Sequence, residues 1–217
     1  MDSKIKTPWL DAGYTTFSHE GPKALKIEAL ARKVGKNKSS FYHCFADLDI
    51  FIDELLCFHV VKSHEICKHI KRCKNLVPDV FEVLFEYKED AFFNRQLRIH
   101  RHLESYKLCF EKAHKPIEDA LLDFWPQAIG LANNPQLARM ILNLTVENFY
   151  LRLTDETYTE EDEFLDDLQD KLFVIVRNTL IAQGCIFFGA MANRMYLQDL
   201  KQFKGKRVSK VPDFDVL

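Results

Sequence analysis

His43 and Cys44 adjoin each other in the stretch "GKNKSSFYHCF", which also offers Lys36, Asn37, Lys38, Ser39, Ser40 and Tyr42. A cysteine beside lysines is a candidate thiol switch. The same lysines, amide and hydroxyls are a candidate surface for an anion. Cys57, His64 and Cys67 follow at i, i+7 and i+10, with His69 close behind. Zinc sites use tighter spacings and a fourth ligand nearby, and on a helix His69 turns away from His64 and Cys67. Arg95, Arg98 and His102 fall on one face of a predicted helix, and Glu147 stands on another. Two uses are open to them. Arg98 and His102 could hold an anionic or polar group of a small molecule, or the cations could pair internally with Glu147 or Glu104.

Bulk properties narrow the classes. Of 217 residues, 47% are apolar, so one sizeable core, or a small unit joined to a larger one, can be built. Glycine and proline are scarce, which favours helices with short connections. The net charge of −2 hides a segregation. Residues 21–45 carry six Lys or Arg against one acidic residue, Glu28, whereas residues 154–170 carry nine carboxylates and no base. The acidic stretch reads as a solvated loop and the first turn of a helix, where carboxylates favour the macrodipole. No pair of the six cysteines forms CxxC and no secretory leader is recognised, so free thiols in the cytoplasm are expected. The most apolar run, 172–192, contains Arg177, Asn178, Gln183 and two glycines. One central Arg costs roughly 2.5–3.5 kcal/mol on insertion scales, so no membrane span is expected. Enzyme signatures are missing: no glycine-rich phosphate loop, no GxSxG, no HExxH. Neither catalysis nor a cofactor is expected, and no metal.

The elements that must position these groups are helical throughout. Leu10, Gly13, Tyr14 and Phe17 share a face of a helix over 9–19, closed by Gly21 and Pro22. Ile27, Leu30, Ala31 and Val34 mark a second helix ending at Gly35. Asn37 caps a short third, with Phe41 and Phe45 on one face. Asp47 or Asp49 starts a longer fourth. Beyond residue 77 the pattern predicts two helices divided near Asp90, another from about residue 115 disturbed at Pro126, and one opened by Asn134 and Pro135. Helices after 164 carry apolar stripes through Leu165, Leu168 and Leu172, and through Phe173, Val176 and Leu180, so they need two partners. The chain is predicted all-α, divided into units 1–47 and 48–217.

The break at Gly35 has a helix-turn-helix spacing. Ala31 is small where two helices would cross, Gly35 tolerates φ > 0, and Phe41 supplies an apolar lock. Residues from Lys36 to Ser40, with Tyr42 and His43, then face outward. Short hydroxyls admit a backbone to a groove, and Lys and Asn reach phosphates and base edges.

"GPKALKIEALARKVGKNKSSFYHCF" resembles the DNA-binding segment of TetR-family transcriptional regulators, through Phe17, Gly21, Ile27, Leu30, Ala31, Gly35, Tyr42 and Phe45. Leu48 stands where that family often places a phosphate-touching Lys, and Lys36 where a small apolar residue is usual. The resemblance implies an N-terminal three-helix DNA-binding domain followed by a helical effector-binding and dimerisation domain. It implies a homodimer on a palindromic double-stranded DNA operator, released by a small-molecule effector. DNA contacts would fall on Lys26, Lys36, Asn37, Lys38, Ser39, Ser40, Tyr42 and His43. The effector would lie among Arg98, His102, Tyr106, Trp125 and Glu147. Leu48, Ile52, Leu55 and Leu56 would transmit its binding. Rival classes are a thiol- or metal-responsive regulator on the same scaffold, and a helical adaptor without DNA binding.

Overall fold

The structure, a computed structural model, describes residues 3–154. Every regular element among them is helical: α1 (Ser3–Glu20), a 3-10 turn (Pro22–Ala24), α2 (Ile27–Val34), α3 (Lys38–Cys44), α4 (Leu48–Ile70), a π-helical turn (Leu76–Val80), α5 (Phe81–Glu86), α6 (Lys88–Ile99), α7 (Glu104–Leu121), α8 (Trp125–Ala128) and α9 (Pro135–Arg152). The stripes expected after residue 164, and the apolar run 172–192, lie outside the described residues. Among those described, no helix is long and apolar enough to cross a membrane.

Several boundaries differ from the sequence expectation. α1 starts upstream of residue 9 and runs through Pro8, where a proline near the helix start removes one ladder bond. The division expected near Asp90 falls at Tyr87, whose φ of −102° and ψ of 35° interrupt the ladder. Asp90 instead sits in the first turn of α6, where a carboxylate suits the helix N-terminus. A second break follows α6, at 100–103. The helix expected to begin near residue 115 is the second half of α7, which continues through Pro116. A proline there leaves the Lys112 carbonyl without its ladder donor, and Lys112 lies on the exposed face, where water can serve it. Pro126 opens the short α8 instead of disturbing a longer helix. The caps match the expectation: Asn37, Asp47 and Asn134 accept from the backbone N–H groups of Ser40, Ile50 and Leu137.

Two apolar clusters make the core. The first holds Trp9, Phe17, Leu30, Phe41, Phe45, Phe51 and Leu55, and continues without a gap into Phe93, Leu97 and Phe110 of α6 and α7. The second holds Ile66, Ile70, Ile117, Trp125, Ile141 and Leu142. α4 threads both, its first half in one and its last turns in the other. Of the face expected to transmit binding, Leu55 and Leu56 are buried, while Leu48 and Ile52 are half-buried against the first cluster. Residue 47 is thus a helix cap, and the apolar packing crosses it.

A polar junction stands where α1, α4 and α6 meet. The Tyr14 hydroxyl donates to Asp90 Oδ1 at 2.8 Å and lies 2.9 Å from His59 Nδ1. Asn94 Nδ2 donates to Asp90 Oδ2 and to the Asp90 carbonyl, both at 3.0 Å. That turns Asn94 Oδ1 toward His59 Nε2, 3.1 Å away. All four side chains are buried. Phe93 stacks on both rings, with centroids 4.5 Å from Tyr14 and 4.2 Å from His59. Burial foremost, and then the Asp90 carboxylate, push the Tyr14 hydroxyl well above its ordinary pKa, so it stays a donor. α1 approaches α4 closely at Gly13, where an added Cβ would come within 2.4 Å of the Phe51 ring.

Removing one member leaves its neighbours buried and short of one hydrogen-bond partner. Tyr14→Phe is expected to cost about 1–3 kcal/mol, and Asp90→Ala about 3–5 kcal/mol, in urea unfolding at neutral pH. Equal stabilities of all three proteins would show the junction to be dispensable.

Candidate nucleic-acid interface and interior cavity

The α2–α3 corner is built by three local devices. Gly35 adopts φ 68°, ψ 30°, the left-handed conformation that favours glycine. Lys36 N donates to the Ala31 carbonyl at 2.9 Å and Gly35 N to that of Arg32 at 3.2 Å, the paired closure of a Schellman motif. Asn37 then restarts the chain as a cap, its Oδ1 accepting from both the N–H and the hydroxyl of Ser40 at 2.9 Å. Leu30 and Ala31 are buried, and Phe41 is fully enclosed. Phe41 meets rings beyond its own corner: Trp9 of α1 at 5.3 Å, Phe45 at 5.2 Å and Phe51 of α4 at 5.5 Å. It therefore anchors α3 to α1 and α4, beyond the α2 contact expected from spacing.

The expected DNA-facing residues divide by the work they do. Lys26, Lys36, Lys38, Ser39, Tyr42 and His43 are exposed, and Tyr42 shows 55% of its surface. Asn37 and Ser40 are engaged in the cap. Lys38 forms an ion pair with Glu28 across the corner, and that lysine, chiefly by hydrogen bonding, holds the Glu28 carboxyl below its usual range. Lys33 bonds Glu20 and the Thr16 hydroxyl, each at 2.8 Å. Of the six cations in residues 21–45, this leaves Lys23, Lys26, Arg32 and Lys36 without a carboxylate partner among the described residues.

The expected effector residues do not converge. Arg98 pairs with Glu147 and lies 4.6 Å over the Phe110 ring. Arg101 Nη1 approaches the same carboxylate at 3.7 Å. The internal pairing is what the structure shows. His102 does not share the α6 face with Arg95 and Arg98: α6 ends at Ile99, and His102 lies exposed in the turn beyond it. Tyr106 is buried in the first apolar cluster. Only Trp125 lines the interior cavity, of about 70 Å³, between α4, α5, α7, α8 and α9. Its walls are Ile117, Leu121, Leu142, Val146 and Phe149 among others, and they carry no formal charge.

Sequence reasoning missed His114, which also lines this cavity. Neither of its ring nitrogens has a hydrogen-bond partner among the described residues. Burial foremost, helped by the Arg98 cation, lowers its pKa to about 4, so it is neutral at pH 7. Its ring stacks on Phe110 at 5.1 Å. It falls at the helix boundary expected near residue 115, which α7 runs straight through.

The cysteines are packed or dispersed. Cys44 is buried near the Ile5 carbonyl, Cys67 Sγ donates to the Pro116 carbonyl at 3.3 Å, and burial pushes the Cys109 thiol up to about 12. Cys57 is exposed, and Cys185 lies outside the described residues. Among the described residues, no three of His, Cys, Asp and Glu come together in a way that could hold a metal ion. No family model, curated protein or solved structure matches the chain.

Two outcomes follow from this geometry. Gly35→Ala is expected to cost about 1–2 kcal/mol through its positive φ, although no atom crowds the site. Phe41→Ala is expected to cost about 3–5 kcal/mol. Chemical denaturation ranks them, and a reversed order would contradict the aromatic anchor. For His114, a folded pKa below the unfolded value means that neutral histidine favours the native state. That contribution is complete above about pH 6.5 and is lost as pH falls toward 4, up to roughly 3 kcal/mol. The urea midpoint of wild type should therefore fall between pH 7 and 4 by more than that of His114→Phe; parallel profiles would contradict it.

Proposed function

We propose that the chain is a DNA-binding transcriptional regulator, a homodimeric repressor released from a palindromic operator by a small-molecule effector. The observation that carries this reading is the α2–α3 corner. Its Gly35 closure, Asn37 cap and Phe41 anchor fix a short helix whose outward residues are Lys38, Ser39, Tyr42 and His43, with Lys36 exposed in the turn before it. α3 is the recognition helix on this reading. Lys26 and Lys36 are its phosphate contacts, since they are the expected DNA-facing lysines that no carboxylate neutralises among the described residues. Lys38 can add to them only by exchanging Glu28 for phosphate. Asn37 and Ser40 hold the helix start rather than read bases. One recognition helix binds weakly, so two subunits on a two-fold site are required.

The polar junction and Phe41 tie α1 and α3 to α4 and α6. A ligand that shifts α4 therefore moves the corner as a unit and changes the separation of two such corners. Operator affinity falls by as much as the ligand prefers the shifted state.

Selection of bound duplexes from a random pool tests the proposal. The expected result is an inverted repeat whose affinity falls steeply with salt. Lys36→Ala and Lys26→Ala should each weaken binding to all sequences alike and lower the salt slope by about one. A pool showing no sequence preference at any salt concentration would sink it.

A further inference from the structure

The cavity beside His114 has a chemistry of its own. About 70 Å³ lies at the centre of a space of about 580 Å³ between the walls, solvent at the mouth included. The walls are mainly hydrocarbon and aromatic, and two of their polar side chains are engaged elsewhere. Trp125 Nε1 donates to the Ala138 carbonyl at 2.9 Å, and the Thr145 hydroxyl to that of Ile141 at 2.8 Å. Tyr150 is kept protonated by burial, which raises its pKa. His114 differs. It is more than nine-tenths buried, it faces the cavity, and both its nitrogens lack partners among the described residues. A buried polar group without a partner is costly, and native proteins seldom leave one unless something else serves it. Water entering from the mouth finds few polar groups on these walls, and it needs two to four partners.

We propose that this cavity is a binding site for an uncharged small molecule with an apolar body and one hydroxyl or carbonyl group, which hydrogen-bonds the His114 imidazole. A neutral imidazole offers one donor and one acceptor, so it serves either group. A charged ligand is rejected. Among the described residues the walls hold no counter-charge, and the nearby cation, Arg98, is already paired with Glu147. The ligand would be the effector of the proposed regulator, and that second step rests on the DNA-binding reading; the binding itself does not. The cavity touches Ile70 on the last turns of α4, the helix whose other end packs against Phe41 and Phe45.

The probes are 1-hexanol and hexanoate, which share a chain length and differ in charge. Calorimetry and the imidazole ¹⁵N resonances of His114 are followed at pH 7. Hexanol should bind one to one and move the His114 resonances, and hexanoate should bind at least about 100-fold more weakly. His114→Phe keeps the stacked ring but removes both nitrogens, and should weaken hexanol about threefold to tenfold. If that variant fails to fold, Leu142→Phe, which fills the cavity from α9, should abolish binding instead. The proposal is overturned by no hexanol binding at millimolar concentration. It is equally overturned by hexanoate binding as well as hexanol, or by a ligand-free His114 already hydrogen-bonded at both nitrogens. Hexanol that binds and weakens the DNA complex supports the effector role, and hexanol that binds and leaves the DNA complex unchanged overturns that role. Hexanol binding by a chain that selects no DNA defeats the regulator reading and leaves the site standing.

Discussion

A phenol, an imidazole, a carboxylate and a carboxamide meet inside the protein where α1, α4 and α6 cross, and the arrangement of the described helices depends on their mutual hydrogen bonds. A buried carboxylate is tolerable only when its lone pairs are used. Asp90 uses them on Tyr14 and Asn94, and His59 closes the ring between those two. The bonds to Asp90 have fixed donors, Tyr14 and Asn94, and His59 lies within reach of both, so sliding one helix by a turn would break several contacts at once. Hydrophobic contacts alone permit many near-equivalent packings of three amphipathic helices; a buried polar junction of specific geometry selects among them. Phe93 lies against two of the rings and joins this polar centre to the aromatic cluster around Phe17 and Phe41.

That constraint changes what the N-terminal helices are. The sequence reading divides the chain into units 1–47 and 48–217. In the structure, α1 is bonded to α6 as well as to α4: Ser18 Oγ donates to the Glu89 carbonyl, and Gln96 Nε2 to that of Ser18. The corner formed by α2 and α3 is held to the same block through Phe41. On the proposed function, a ligand in the cavity acts on a rigid assembly, and the route from Ile70 to the corner is one continuous helix.

The local parts of this architecture were legible because their causes are local. A glycine that must adopt positive φ, an asparagine that caps, and an Asn-Pro helix start leave marks within a few residues, and Gly35, Asn37 and Asn134 were read from those marks. The junction was not legible because its members stand 45 and 76 residues apart along the chain, and each alone is an ordinary polar residue. Arg98 and His102 illustrate the opposite failure. Four-residue spacing places two side chains on one face only if the helix continues, and α6 stops between them. Proline misled once, since Pro126 opens a short helix and does not disturb a longer one. Charge counts misled once: Lys38 and Lys33 contribute to the basic stretch in sequence, yet carboxylates on α2 and α1 neutralise them in space.

The central claim is that α1 through α4 and α6 form one cooperative block, held at the Tyr14–His59–Asp90–Asn94 junction. Native-state amide exchange across a denaturant series reads this directly, because it assigns an opening free energy to each helix. The account predicts that the amides around Tyr14, His59 and Asn94 merge into a single opening at the highest free energy. Opening of α1 through α3 together, at a distinctly lower free energy than α4 and α6, would contradict it.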